Sequence, residues 1–124
     1  MNPRNKKILI VDDEADILTT FSNRLRLNGY QVTTASDGRE ALEKADSEKP
    51  DLILLDLMMP GIDGFSVLEA LKSNPKHKHI PVIITSVKFH RDSMDKAAGL
   101  GADDYLSKPF VASDLLEKIE KLLA

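Results

Sequence analysis

The chain has 124 residues, 42% of them hydrophobic and 30% charged, which suits one globular domain that buries about two thirds of its unfolded surface. Cysteine is absent, which excludes disulfides, thiolate metal sites and a cysteine nucleophile. The 17 basic and 20 acidic residues leave a net charge of -3, and no stretch has the apolar length of a membrane span or a signal core. The expected compartment is the cytoplasm, with no membrane and no direct nucleic-acid partner for this domain.

After a polar, basic lead over 1–7, Ile8-Leu9-Ile10-Val11 is an unbroken apolar run of strand length. Such runs read as parallel strands buried on both faces. Asp12-Asp13-Glu14 ends it. Ile17, Leu18, Phe21 and Leu25 then recur at helical spacing, and Asn28-Gly29 offers a left-handed cap. Gln31 to Ala35 alternates as an edge strand does, and Asp37-Gly38-Arg39-Glu40 has the form of a capping box for a helix through Ala41, Leu42 and Ala45. Leu52 to Leu55 is the most central strand, closed by Asp56 and followed by a turn at Pro60-Gly61. Asp63 caps a third helix carrying Phe65, Val67, Leu68 and Leu71.

The Lys76-His77-Lys78-His79 run reads as a solvated loop rather than a metal site, and His90 as a surface residue. A fourth strand is expected over Ile80 to Ser86, with Pro81 at its start, where a missing N–H is tolerated. The fourth helix, near Arg91 to Ala98, has only Met94, Ala97 and Ala98 for an apolar face and is broken by Gly99 and Gly101. Asp104 to Ser107 makes a short fifth strand before Lys108-Pro109-Phe110. Leu115, Leu116, Ile119, Leu122 and Leu123 form the clearest helical stripe. The alternation is βα repeated five times over one domain, 1–124, with right-handed crossovers.

The strand ends carry the chemistry. Asp12 and Asp13, Asp56, Ser86 and Lys108 would share the carboxyl edge of one sheet, where open α/β folds bind ligands. Three carboxylates packed together repel, and a hard divalent cation relieves them. Mg²⁺ suits oxygen ligands and bridges carboxylates to phosphate. A lysine and a serine beside them suit phosphoryl oxygens, and a carboxylate is available as nucleophile.

Val11-Asp12-Asp13-Glu14, the stretch from Asp56 to Gly64, Ser86, and the stretch from Gly101 to Phe110 together resemble the receiver domain of two-component response regulators. The match spans almost the whole chain, and the joint spacing is specific. The resemblance implies a flavodoxin-like (βα)5 three-layer sandwich with strand order 2-1-3-4-5. It implies Asp56 as phospho-acceptor, Asp12 and Asp13 as the acid pair, and Mg²⁺ held by Asp13, Asp56 and the Met58 carbonyl beside Asp12, with Mn²⁺ as a substitute. Ser86 and Lys108 would contact the phosphoryl group, Tyr105 would be the aromatic switch residue, and Lys108-Pro109 would be cis. The implied partners are a sensor histidine kinase or a histidine phosphotransfer protein, and an output protein that the sequence does not name. The output face would be the fourth helix, fifth strand and fifth helix.

Where receiver domains usually place alanine or glycine after the strand-four hydroxyl, this chain has Val87, expected to screen the phosphoryl pocket. Lys118 stands for the usual arginine, so with Asp103 and Asp104 it predicts a monomer or a weak, phosphorylation-dependent dimer. Two rivals fit less well. A haloacid-dehalogenase-type phosphohydrolase needs a second aspartate two residues after the nucleophile, where this chain has Met58. A flavodoxin-like cofactor binder needs a phosphate cradle after the first strand, where this chain has Asp12-Asp13-Glu14.

Overall fold

The computed structural model describes residues 6–59, 61, 63–87 and 91–124. Residues 1–5 of the lead expected over 1–7, the turn at Pro60 and the surface placement of His90 fall outside these, and Lys7 belongs to the first strand. Five strands, β1 (Lys7–Val11), β2 (Gln31–Ala35), β3 (Leu52–Asp56), β4 (Val82–Ser86) and β5 (Asp104–Ser107), alternate with five helices. The helices are α1 (Ala15–Leu27), α2 (Gly38–Glu48), α3 (Gly64–Ser73), α4 (Arg91–Gly99) and α5 (Ala112–Leu123). All strand pairs are parallel and the order is β2-β1-β3-β4-β5, as the family resemblance implied.

Strand side chains alternate between faces, so the continuous apolar runs supply two separate cores. Leu9, Val11, Ile53, Leu55, Val82 and Ile84 pack with Ala41 and Ala45 of α2, Val67, Leu68 and Leu71 of α3, and Ala97 of α4. On the other face Ile8, Ile10, Leu52, Leu54, Ile83 and Leu106 meet Leu25 of α1 with Leu115 and Ile119 of α5. Each fully buried Leu or Ile contributes about 1.5–3 kcal/mol of transfer free energy, so the two layers hold the sheet rigid between them. Phe21 of α1 and Phe110, just before α5, close this second layer with ring centroids 4.6 Å apart. α4 buries only Ala97, so it is the element with the least apolar anchorage.

The element ends differ from expectation in instructive ways. β1 begins at Lys7, whose N–H donates to Asp51 Oδ2 at 2.8 Å and whose carbonyl accepts from Asp51 N–H at 2.7 Å. β4 begins at Val82 rather than Ile80, because Pro81 has no N–H for the ladder, although its carbonyl still accepts from Ile53 N–H at 3.0 Å. α4 continues through Gly99 and is turned back at Gly101, where φ is +102°. Asp37 caps α2 by accepting from Glu40 N–H, but the Glu40 carboxylate answers at Ser36 N–H (2.7 Å) instead of closing a capping box on Asp37. Asn28-Gly29 ends α1 with Gly29 at φ +94°, and Asp63 caps α3 on Ser66 N–H, both as expected.

The loop before β4 leaves Lys76, Lys78 and His79 exposed, as expected, and corrects the solvated reading of 76–79 at His77. His77 is only 7% exposed, and its Nε2 lies 2.7 Å from Asp46 Oδ1 on α2. The pair borders a recess of about 670 Å³ at the amino-terminal edge of the sheet. That recess lacks the convergence found at the opposite edge, since its acids Asp46 and Asp51 already face His77 and the Lys7 N–H.

Candidate functional site

β1 and β3 are neighbours in register from Ile8↔Leu52 to Val11↔Leu55, so the residues that follow them meet at one edge. Asp12 leaves β1 with its N–H on the Ala35 carbonyl (3.1 Å), and its Oδ1 accepts from Glu14 N–H at 2.9 Å. Asp56 is the last residue of β3, and its Oδ1 accepts from Met58 N–H at 3.0 Å. Both carboxylates are 2% exposed. Asp13 is exposed beside them.

The loop after β3 depends on Gly64. A Cβ there would lie 2.4 Å from Leu57 Cα and 2.7 Å from the Asp56 carbonyl oxygen, so only glycine lets α3 start against the loop after β3. The Gly64 N–H donates to the Leu57 carbonyl at 3.1 Å, and the Leu57 N–H to Thr85 at 3.0 Å. Asp56 is thereby held on backbone from both β4 and α3.

Lys108 completes the cluster. Its N–H donates to the Ser86 carbonyl at 2.8 Å, and the Lys108-Pro109 bond is cis, as the resemblance implied. The ammonium lies 2.7 Å from Asp12 Oδ2, 3.2 Å from Asp56 Oδ2 and 3.8 Å from Glu14 Oε1. A lone buried ammonium would be costly, and these carboxylates are what make its burial tolerable. Burial alone would lower the Lys108 pKa, but the hydrogen bond and charge of Asp12, with those of Asp56, hold it above the usual lysine value. Asp56 moves the other way. Burial pushes its carboxyl above the usual carboxylate range, opposed by the Met58 N–H and Lys108 and reinforced by the charge of Asp12.

Carboxylate oxygens of Asp12, Asp13 and Asp56 lie within 4.8 Å of one another. That all-oxygen set, with one member open to solvent, fits a hard, partly hydrated cation such as Mg²⁺. Ser86 is buried at the end of β4, beside Asp56 in the same edge, and Thr85 is paired with Asp56 in the β3–β4 register. Tyr105 lies farther out on β5, half-buried, with its hydroxyl donating to the Met94 carbonyl of α4 at 3.1 Å. Burial foremost, then the charges of Asp95 and Asp104, raises its pKa above that of a free tyrosine.

Val87 is 62% exposed and does not pack into the core. It lines a recess of about 260 Å³ with Glu14, Ile17, Phe21, Lys108 and Phe110. The acids of the expected output face are engaged within the chain. Asp103 Oδ2 accepts from Lys72 Nζ (3.0 Å) and Val82 N–H (2.8 Å), and Asp104 Oδ1 accepts from Lys118 Nζ at 3.0 Å. The reach of Glu14 to Lys108 was not foreseen. Its available signal was a glutamate at a helix N-cap, where Asp, Asn, Ser or Thr is the better residue.

A family model described as "Response regulator receiver domain" matches residues 8–120. The chain is 45% identical over 121 residues to the alkaline phosphatase synthesis transcriptional regulatory protein PhoP of Bacillus subtilis, covering 96% of this chain and 49% of that protein. It is 44% identical over 119 residues to the transcriptional regulatory protein PrrA of Mycobacterium tuberculosis, covering 94% of this chain and 49% of PrrA. The chain thus spans about half the length of these relatives. Among solved structures, the chemotaxis protein CheY4 of Vibrio cholerae superposes with a TM-score of 0.91 at 34% identity, covering 95% of this chain and 98% of that one.

Proposed function

Because the chain belongs to the response regulator receiver domain family, we propose that it is the phospho-accepting switch of a two-component phosphorelay, with Asp56 as the acceptor. The observation that carries this reading is the meeting of a buried carboxylate, a buried ammonium and an acid pair at one sheet edge. A sensor histidine kinase or a histidine phosphotransfer protein is the donor. An Asp56 carboxylate oxygen attacks phosphorus, and the P–N bond to the donor imidazole breaks with its electron pair going to nitrogen. The product is an acyl phosphate, which water later hydrolyses to carboxylate and inorganic phosphate.

Asp13, Asp56 and the Met58 carbonyl, with Asp12 beside them, would hold Mg²⁺. When bound, the cation supplies charge neutralisation for carboxylate and phosphoryl oxygens. Lys108, already 3.2 Å from Asp56 Oδ2, transfers its contact to a phosphoryl oxygen, and Ser86 donates to another. The Tyr105 hydroxyl on the Met94 carbonyl links β5 to α4, the least anchored helix, and so joins the site to the output face of α4, β5 and α5. The chain acts on itself in these steps rather than turning over a free substrate.

No helix among the described residues is long and apolar enough to cross a membrane. A cytoplasmic setting follows from the proposed kinase partner. PhoP and PrrA are named as transcriptional regulators, and for this chain the output is an unidentified partner or module that reads the α4–β5–α5 face. Asp56→Asn should abolish labelling by a small acyl-phosphate donor in the presence of Mg²⁺, because an amide is not a nucleophile. Stoichiometric labelling of that variant would refute the assignment.

A further inference from the structure

Glu14 breaks a local rule. It occupies the N-cap of α1, yet its side chain makes no capping hydrogen bond, the task for which shorter Asp and Ser side chains are preferred at that position. Its carboxylate instead turns toward Lys108, with Oε1 3.8 Å from Nζ. Departures from local preference in an otherwise consistent fold are where function is to be sought. Lys108 is therefore shared by three carboxylates, at 2.7 Å from Asp12, 3.2 Å from Asp56 and 3.8 Å from Glu14. Asp12 and Asp56 are buried and also belong to the cluster of oxygens suited to a cation, while the Glu14 side chain is 59% exposed and stands outside that cluster.

We propose that Glu14 is a positioning residue that retains the Lys108 ammonium on the α1 side of the site and so weakens capture of a phosphoryl group at Asp56. The inference rests on the reading of Asp56 as acceptor and names a control of that same site. A phosphoryl group on Asp56 must draw the ammonium from its carboxylates. The recess of about 260 Å³ bordered by Glu14, Val87 and Lys108 opens beside that contact. Glu14 also adds negative charge where an anionic donor must enter, and both effects oppose capture. An exposed pair of this kind is worth about a two- to fivefold change in an equilibrium constant.

The test separates positioning from helix capping. Glu14→Gln removes the charge and keeps the length. Glu14→Asp keeps the charge, withdraws it from Lys108 and supplies a better N-cap. The affinity of each for beryllofluoride, a phosphoryl mimic, is measured in Mg²⁺ by amide NMR, with thermal stability in parallel and Asp56→Asn as control. Both Glu14 variants should bind the mimic about two- to fivefold more tightly than wild type, while Glu14→Asp alone gains thermal stability. Unchanged affinity in both overturns the proposal. A change in Glu14→Gln alone also overturns it, because the cause would then be the general field and not the contact with Lys108. If wild type shows no Asp56-dependent binding, the acceptor reading fails and this inference fails with it.

Discussion

The ammonium of Lys108 lies closer to Asp12, at 2.7 Å, than to Asp56, at 3.2 Å. The lysine is thus held chiefly by an acid at the end of β1 and is only partly committed to Asp56. That division bears on each variant of the cluster.

Asp56→Asn should stabilise the fold near neutral pH in the absence of divalent cations. Burial raises the Asp56 pKa above its ordinary 3.8, so the folded state holds the proton more tightly than the unfolded state does. The contribution of this group is fully present below the unfolded value and is lost as pH rises through the folded one. The neutral amide avoids that loss and leaves Lys108 paired with Asp12. We expect a gain at pH 7 that shrinks as pH falls through the raised folded-state value and is gone below the ordinary 3.8, read by chemical denaturation at neutral and acid pH. A variant less stable than wild type at pH 7 contradicts this.

Asp12 and Asp13 should fail differently. The Asp12 oxygens already serve Lys108 and the Glu14 N–H, whereas Asp13 is exposed. Asp13→Ala is expected to weaken Mg²⁺ binding about tenfold or more with little change in stability. Asp12→Ala should weaken Mg²⁺ less and reduce stability by about 2–3 kcal/mol, because it leaves a buried ammonium short of its nearest partner. Mg²⁺ titration alongside denaturation separates the two, and equal, negligible effects on Mg²⁺ would make the acid pair structural.

Val87→Ala should speed both phosphorylation by a small donor and loss of the phosphoryl group, with Mg²⁺ affinity unchanged. The side chain is largely exposed and borders the recess next to Lys108, so its removal opens the approach without emptying the core. Stability should therefore change by less than about 0.5 kcal/mol. Stopped-flow phosphorylation and a phosphate-release time course provide the check; unchanged rates would end the screening idea.

Phosphorylation should produce at most a weak, salt-sensitive dimer through α4, β5 and α5. Asp103 is bound to Lys72 and the Val82 N–H, and Asp104 to Lys118, so intermolecular pairs on this face would have to displace internal ones. The Asp104–Lys118 pair is about 25–31% exposed and contributes little by itself. Analytical ultracentrifugation with and without beryllofluoride, at two salt concentrations, tests this. A tight dimer in both states would refute it.

The apolar runs at 8–11 and 52–55 determined by themselves that two strands lie buried at the centre, since no half-exposed strand would be apolar at every position. Parallel βα alternation then puts every strand's carboxyl end on one edge, which is why Asp12, Asp56, Ser86 and Lys108 could be grouped without coordinates. The cap at Asp63 and the turn at Gly29 were legible because capping is local chemistry. Sequence could not assign Lys108 mainly to Asp12, because separations between loops 96 residues apart depend on strand register and loop path. Nor could it tell that His77 is buried against Asp46 or that Asp103 is engaged by Lys72, since a charged side chain in a polar loop has the same local pattern whether solvated or paired across 31 positions. Tertiary structure decided those pairings, for a buried charge persists only where the fold brings a partner within reach.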